Sequence, residues 1–277
     1  MAALGAPADS HHIAAEPIGT GLPPSLSATR EGEIAFLALD RAAKRNALDD
    51  TTLFGLEAFF RTLPSDIKVV ILSGNGDHFS AGLDLGELTA RTVAEGIVHS
   101  RSWHRAMEAI EFGPVPVISV LHGAVVGGGL ELASATHIRV AEESAYFALP
   151  EGQRGIYVGG GASVRVPRLV GMQRMRDMML TGRTYGADEG RILGFCDYVV
   201  PAGGGLEKAR ALATRIAANA PLTNFALVQV LPRIVEMDPA AGYLTEALMA
   251  AIAQGDAEAK RRLEDFLAKR APKALHV

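Results

Sequence analysis

Two glutamates stand where acid/base chemistry could be done. Glu131 follows the run Gly127-Gly128-Gly129, and Glu151 closes the segment Phe147-Ala148-Leu149-Pro150-Glu151 just before a glycine-rich loop. The spacing predicts that the glycines open a helix and that Glu131 sits in its first turn, close to anything held at the helix start. N–H groups there have no partner inside the helix and feel the positive end of its dipole, so they can hold an oxyanion. Without side chains at three successive positions, a carbonyl can approach the backbone closely. A second exposed turn, His78-Phe79-Ser80-Ala81-Gly82-Leu83-Asp84-Leu85, also follows an apolar run. Two glutamates around one apolar pocket can hold a water between them, one taking its proton while the other serves the substrate carbon. Read singly, each piece has a plainer use: glycines permit tight helix packing, and an acid early in a helix caps it or is solvated.

These segments need a rigid frame. Ile34 to Leu39, Val69 to Leu72 and Val115 to Leu121 are apolar runs bounded by turn residues, as in buried strands, and further strands are expected at His137 to Ala141 and Cys196 to Val200. A helix is expected from Asp49 or Asp50 to Leu63, before Pro64, and another over Arg91 to Phe112. Strand and helix alternate to about Pro201, the pattern of an α/β core. From Gly205 onward the pattern is helical, in pieces starting near Leu206, Pro221, Pro239 and Asp256, which should pack on the body or on another subunit. The expected organisation is a flexible arm at 1–24, an α/β core at 25–203 and a helical region at 204–277.

Composition narrows the function classes. A formal net charge of -4 and the lack of a dense Lys/Arg block argue against a nucleic-acid partner. No apolar stretch approaches the roughly 20 residues a membrane helix needs. The first 29 residues hold no Lys or Arg, which argues against a secretory or transit leader and points to the cytoplasm. Neither glycine turn has a phosphate-loop or dinucleotide pattern. Cys196, the lone cysteine, reads as structural. His11-His12, and His99 and His104 with Glu108, fall short of a metal-ligand set.

The set of segments resembles the enoyl-CoA hydratase/isomerase (crotonase) family from about Ser27 to Lys273. The matching pieces, in order, are Leu39-Asp40-Arg41 with Arg45-Asn46-Ala47-Leu48, then Phe79 to Leu85, then His122-Gly123 with Gly127 to Ala133, then Phe147 with Pro150-Glu151. The resemblance implies a spiral of strand-strand-helix turns followed by a helical region that assembles trimers or hexamers. It implies that the N–H groups of Leu83 and Gly128 form the oxyanion hole for a thioester carbonyl. Glu131 and Glu151 match the family's two acid/base glutamates, and having both favours hydration of a 2-enoyl-CoA over isomerisation, decarboxylation or hydrolysis. Some isomerases and hydratase-lyases keep a glutamate at the Glu151 position, so double-bond isomerisation and hydration with carbon-carbon cleavage of an aromatic enoyl-CoA stay as rivals within the family, and acyl-CoA binding without turnover as the rival outside it. No metal or redox cofactor is implied, because coenzyme A enters as part of the substrate. The coenzyme is expected near Arg41, Lys44, Arg45, Ala47, Ala81 and Asp84, with Phe266, Lys269 and Arg270 as candidates to reach a neighbouring subunit's coenzyme. Trp103, Met107 and Tyr157 are candidate walls for the acyl group. The sequence departs from the family where Val158 replaces a proline commonly placed before the glycines at 159–161, a change bearing on acyl preference.

Overall fold

The computed structural model describes residues 16–19, 21–87 and 91–268. Its frame is a seven-stranded sheet in the order β1-β2-β3-β4-β5-β7-β10. The strands are β1 (Glu16–Pro17), β2 (Leu26–Glu31), β3 (Ile34–Leu39), β4 (Val69–Gly74), β5 (Val117–Leu121), β7 (Ile138–Glu142) and β10 (Tyr198–Val200); between β5 and β7 lies β6 (Ala124–Val126). β1, β2 and β3 pair antiparallel, and every later neighbour in this sheet pairs parallel. A smaller sheet joins β6 to β8 (Tyr146–Ala148) in parallel and β8 to β9 (Tyr185–Gly186) antiparallel. β5 is buried along its whole length, which explains why it reads as an uninterrupted apolar run rather than an alternating one.

Both faces of the large sheet are covered. Val70, Leu72, Val117 and Leu121 face a core shared with α1 (Asp50–Arg61) and α2 (Val93–Glu111), through residues including Leu53, Leu56, Phe60, Ala106, Met107 and Ile110. Val69, Ile71, Ile118 and Val120 point the other way, onto Ala209, Leu212 and Ala213 of α7 (Gly205–Ala217). That period-two alternation is what a strand sandwiched between helices requires. Asp49 caps α1 by accepting the Thr52 N–H at 2.8 Å, and Thr92 with Glu95 forms a capping box at the start of α2.

The chain departs from the expected organisation at two places. Within the expected arm, Glu16 and Pro17 pair with Arg30 and Thr29, and Ile18 is buried in the main core, so the fold begins before residue 24; residues 1–15 lie outside the described residues. The stretch from 155 to 195 holds three short helices, α4 (Ala162–Val170), α5 (Met172–Thr181) and α6 (Ala187–Leu193), where the expected alternation of strand and helix gave no helix bounds. Gly161, Gly171, Gly182 and Gly194 flank them, all at positive φ, so each glycine supplies a left-handed boundary that other residues resist. The helical region continues with α8 (Pro221–Phe225), a π-helical turn at Ala226–Val230, α9 (Leu231–Ile234), α10 (Pro239–Gly255) and α11 (Ala257–Leu267). Among the described residues no helix is long and apolar enough to cross a membrane.

Candidate active site

The loop after β4 is stitched to its neighbours almost peptide by peptide. On one side Phe79 N–H donates to His122 O at 2.8 Å and Ser80 N–H to Ala124 O at 2.9 Å. On the other, Ala81 N–H donates to Arg45 O at 2.9 Å and Asp84 N–H to Leu48 O at 2.8 Å, while Gly82 O accepts from Leu48 N–H at 2.8 Å. The Gly82 N–H donates to Ser80 Oγ at 3.2 Å. Leu83 N–H is left with no acceptor among the described residues, so the loop presents one donor held in place by its paired neighbours.

The second donor comes from the start of α3 (Gly128–Ser134). Gly127, at φ 53°, turns the chain and donates its own N–H to Ala148 O at 2.9 Å, after which the Gly128 N–H has no helical partner. A methyl group on Gly128 would lie 3.3 Å from the Leu83 nitrogen and 2.9 Å from Trp103 Cζ3, so the two donors are close neighbours and glycine keeps the space in front of them open. A side chain on Gly82 would meet Val126 O at 2.6 Å.

Both glutamates border this space. Glu131 is 3% exposed, and its Oε1 accepts the N–H groups of Gly160 at 2.8 Å and Ala162 at 3.1 Å. Burial pushes its carboxyl above the usual carboxylate range, opposed by those two peptides and by the charge of Arg165. Glu151 is 8% exposed and sits in the 3-10 turn Pro150–Arg154. Burial raises its carboxyl to about 7, opposed by a backbone hydrogen bond and reinforced by the negative charge of Glu131, which couples the two acids. A Cβ on Gly127 would come 2.8 Å from Glu151 Oε1, and one on Gly160 2.9 Å from Glu131 Oε2, so glycines again clear the space beside each carboxyl. Glu151 Oε2 is buried and has no hydrogen-bond partner among the described residues, a costly arrangement for a polar atom unless something else is meant to meet it. The donors and both acids line one cavity of about 340 Å³, walled by Leu85, Trp103, Ile156, Tyr157 and Val158.

Other expected residues divide. Trp103 and Tyr157 line the cavity, and Tyr157 is 70% exposed rather than packed in the core. Met107 is a correction: one helical turn beyond Trp103, it is fully buried in the core and does not reach the cavity wall. Arg41 is largely engaged within the protein, with Asp84 at 2.7 Å, Asp49 at 3.0 Å and Ala47 O at 2.6 Å. Hydrogen bonds from Arg41, from the Gly86 N–H and from Lys44 hold the Asp84 carboxyl down at about 2. Lys44, its side chain 61% exposed, reaches Asp84 at 3.1 Å, and Arg45 is exposed at φ 52°. Both residues adjoin the Ala81 loop, Lys44 through Asp84 and Arg45 through its carbonyl, which accepts the Ala81 N–H. Phe266 is exposed on α11, while Lys269 and Arg270 lie outside the described residues.

His99 pairs with Asp50 at 2.8 Å, and His104 lies 3.3 Å from Arg101. Among the described residues no three His, Cys, Asp or Glu side chains converge as a metal site. Cys196 is buried, its thiol pushed up by burial to about 12.

Two supports of the site have no counterpart in the sequence reading. Asn46, 2% exposed and at φ 53°, accepts the Arg41 N–H at 2.9 Å and donates to Asn75 O at 2.9 Å and His78 O at 2.7 Å. Ser80, fully buried, donates through Oγ to Asn46 O at 2.8 Å. Together they brace the loop carrying Leu83. Asn46 stood inside the quoted Arg-Asn-Ala-Leu motif, and the left-handed preference of Asn was its available signal.

Comparisons with known proteins bear on the family and the fold. The Enoyl-CoA hydratase/isomerase family profile matches residues 29–274. A carnitinyl-CoA dehydratase of Salmonella typhi is 37% identical over 236 residues, covering 79% of this chain and 84% of that protein. An enoyl-CoA isomerase/hydratase of Mycosarcoma maydis is 34% identical over 212 residues, covering 73% and 77%. Among solved structures, a candidate enoyl-CoA hydratase from Rhodopseudomonas palustris superposes with a TM-score of 0.87 at 53% identity, covering 91% of this chain and 98% of that one. The enoyl-CoA hydratase of Bacillus anthracis gives a TM-score of 0.84 at 29% identity, covering 90% and 98%. With its crotonase fold, the chain belongs to the enoyl-CoA hydratase/isomerase family, whose members act on acyl-CoA substrates.

Proposed function

We propose that this protein adds water across the double bond of a 2-enoyl-CoA thioester to give the 3-hydroxyacyl-CoA. The observation that carries the proposal is the pair of buried glutamates on the cavity that also holds the neighbouring unpaired N–H groups of Leu83 and Gly128. The thioester oxygen accepts both N–H groups. A water lies between the carboxyls, the oxygen bonds to C3, and its proton passes to Glu131, whose Oε1 is held by two peptide donors suited to a carboxylate. The C2=C3 π electrons move toward the thioester, and the developing negative oxygen is stabilised by the two N–H groups. Glu151, held neutral up to about pH 7, gives its proton to C2. When product leaves, solvent returns a proton from Glu131 to Glu151. No metal or redox group takes part in this sequence.

In the same reading, coenzyme A lies along the Arg41 to Leu48 and Ala81 to Asp84 segments. Lys44 and Arg45 meet its phosphates, while Arg41 and Asp84 shape the loop by pairing with each other. Exposed Tyr243, Leu244, Leu248 and Ile252 on α10 support assembly of copies as a trimer or dimer of trimers, with Phe266 beside a neighbouring coenzyme. A cytoplasmic setting completes the reading.

The test is incubation with crotonyl-, longer enoyl- and cinnamoyl-type CoA thioesters, with products identified by mass. Gain of one water, with the acyl-CoA otherwise intact, is expected. A product of unchanged mass, a cleaved product or no turnover of any thioester would remove the hydratase reading. Sedimentation of the pure protein tests the assembly.

A further inference from the structure

Behind the cavity a buried arginine holds Glu131 from two directions. Arg165, on α4, is 7% exposed. Its guanidinium donates to Gly160 O, and Gly160 is the residue whose N–H donates to Glu131 Oε1 at 2.8 Å. Its Nε lies 3.4 Å from Ser134 Oγ, and that hydroxyl donates to Glu131 O at 2.7 Å. One side chain thus fixes both the residue whose N–H grips the carboxylate and, through Ser134, the backbone from which the carboxylate projects. The chain folds over the guanidinium at Gly161, φ 103°, where a Cβ would come 2.5 Å from Arg165 Nη2. Arg165 is itself anchored by Glu111 of α2 at 2.9 Å.

We infer that Arg165 is the positioning residue for Glu131: it orients the carboxylate toward the cavity by fixing the groups that hold it. The inference rests on the reading of Glu131 as the group that takes the proton of water. The charges facing this pair are Glu151 from the turn after β8, and Glu111 and His104 from α2. Glu151 opposes ionisation of Glu131, whereas the Arg165 charge favours it. Glu111 pairs with the same guanidinium from α2, and of the two charges it is that of Arg165 that acts on the Glu131 carboxyl.

Arg165→Met and Arg165→Lys separate orientation from charge, and the double variant Arg165→Met/Glu111→Gln avoids leaving an unpaired buried acid should the single variant fail to fold. Each is assayed on crotonyl-CoA across pH. Without substrate, the Glu131 carboxyl is titrated by infrared spectroscopy of 13C-glutamate protein, assigned by difference against Glu131→Gln. The methionine variants should lose about 10- to 100-fold in kcat with KM nearly unchanged. Their acid limb should move to higher pH, with the infrared titration of Glu131 moving in parallel. Lysine should restore the limb but only part of kcat. A folded methionine variant, lower in melting temperature but with wild-type kcat and a wild-type Glu131 titration, would overturn the inference. If the wild-type protein turns over no thioester, the functional reading fails, and the infrared titration alone still decides what Arg165 does to Glu131.

Discussion

Gly128→Ala places one methyl group in front of the proposed oxyanion donors. The backbone at 128 has no positive φ, so alanine fits the first position of α3, and replacing a helical glycine is worth up to about 1 kcal/mol. The added carbon would come 2.9 Å from Trp103 Cζ3 and 3.2 Å from Cη2, so a buried indole must give way, an overpacking cost of about 1 to 3 kcal/mol. The two effects oppose each other, and net stability should fall by no more than about 3 kcal/mol. Activity has no such compensation, because the methyl also stands 3.3 Å from the Leu83 nitrogen, where the thioester oxygen must sit. Loss of one donor raises the barrier by about 3 to 4 kcal/mol, a fall in kcat of about 10²- to 10³-fold. The assay is the disappearance of the conjugated enoyl-thioester absorbance, with urea unfolding followed in parallel. A folded Gly128→Ala variant with near wild-type kcat would refute the placement of the oxygen between these two amides.

Three more outcomes follow from the geometry. Asn46→Ala removes three part-buried hydrogen bonds and leaves alanine at φ 53°, so stability should fall by about 3 to 4 kcal/mol in urea unfolding, with turnover falling more than thioester binding. The pH dependence of hydration should show a basic limb near 7, because Glu151 must carry a proton and loses it as pH rises through that value; a rate level well above pH 7 would deny Glu151 the acid role. His137 accepts the Val117 N–H at Nδ1 (2.9 Å) and donates from Nε2 to Glu111 O (3.1 Å), and burial pushes it down to about 4 from an ordinary 6.5. The unfolded chain then binds the extra proton, so this contribution, roughly 3 kcal/mol, is complete above pH 6.5 and is lost as pH falls toward 4. His137→Gln can keep both hydrogen bonds and should flatten that part of the urea-stability profile; parallel wild-type and variant profiles would count against it.

The segments that bear on the chemistry were legible because each combines a strand end, a glycine turn and an acid at fixed spacing. The sequence also marked the central strands, since buried parallel strands such as Val117–Leu121 are apolar throughout. What it hid was made by distant contacts. Arg165 looks like any helical arginine until Gly160, Ser134 and Glu111 converge on it, and Ser80 like any loop serine until Asn46 does. Met107 and Trp103 share helical spacing, but only their depth in α2 separates core from cavity wall. The short strands Ala124–Val126 and Tyr185–Gly186 offer too few residues for a period to register, and Glu16–Pro17 joins the sheet from within a glycine- and proline-rich stretch.

The most direct measurement is turnover of crotonyl-CoA in water enriched in oxygen-18, comparing wild type with Glu131→Gln and Glu151→Gln. Two acids sharing one water predict a single heavy oxygen at C3 of the wild-type product. Each variant should bind the thioester but lose about 10²- to 10⁴-fold in rate. Heavy oxygen formed at an undiminished rate by either variant would contradict the shared-water account.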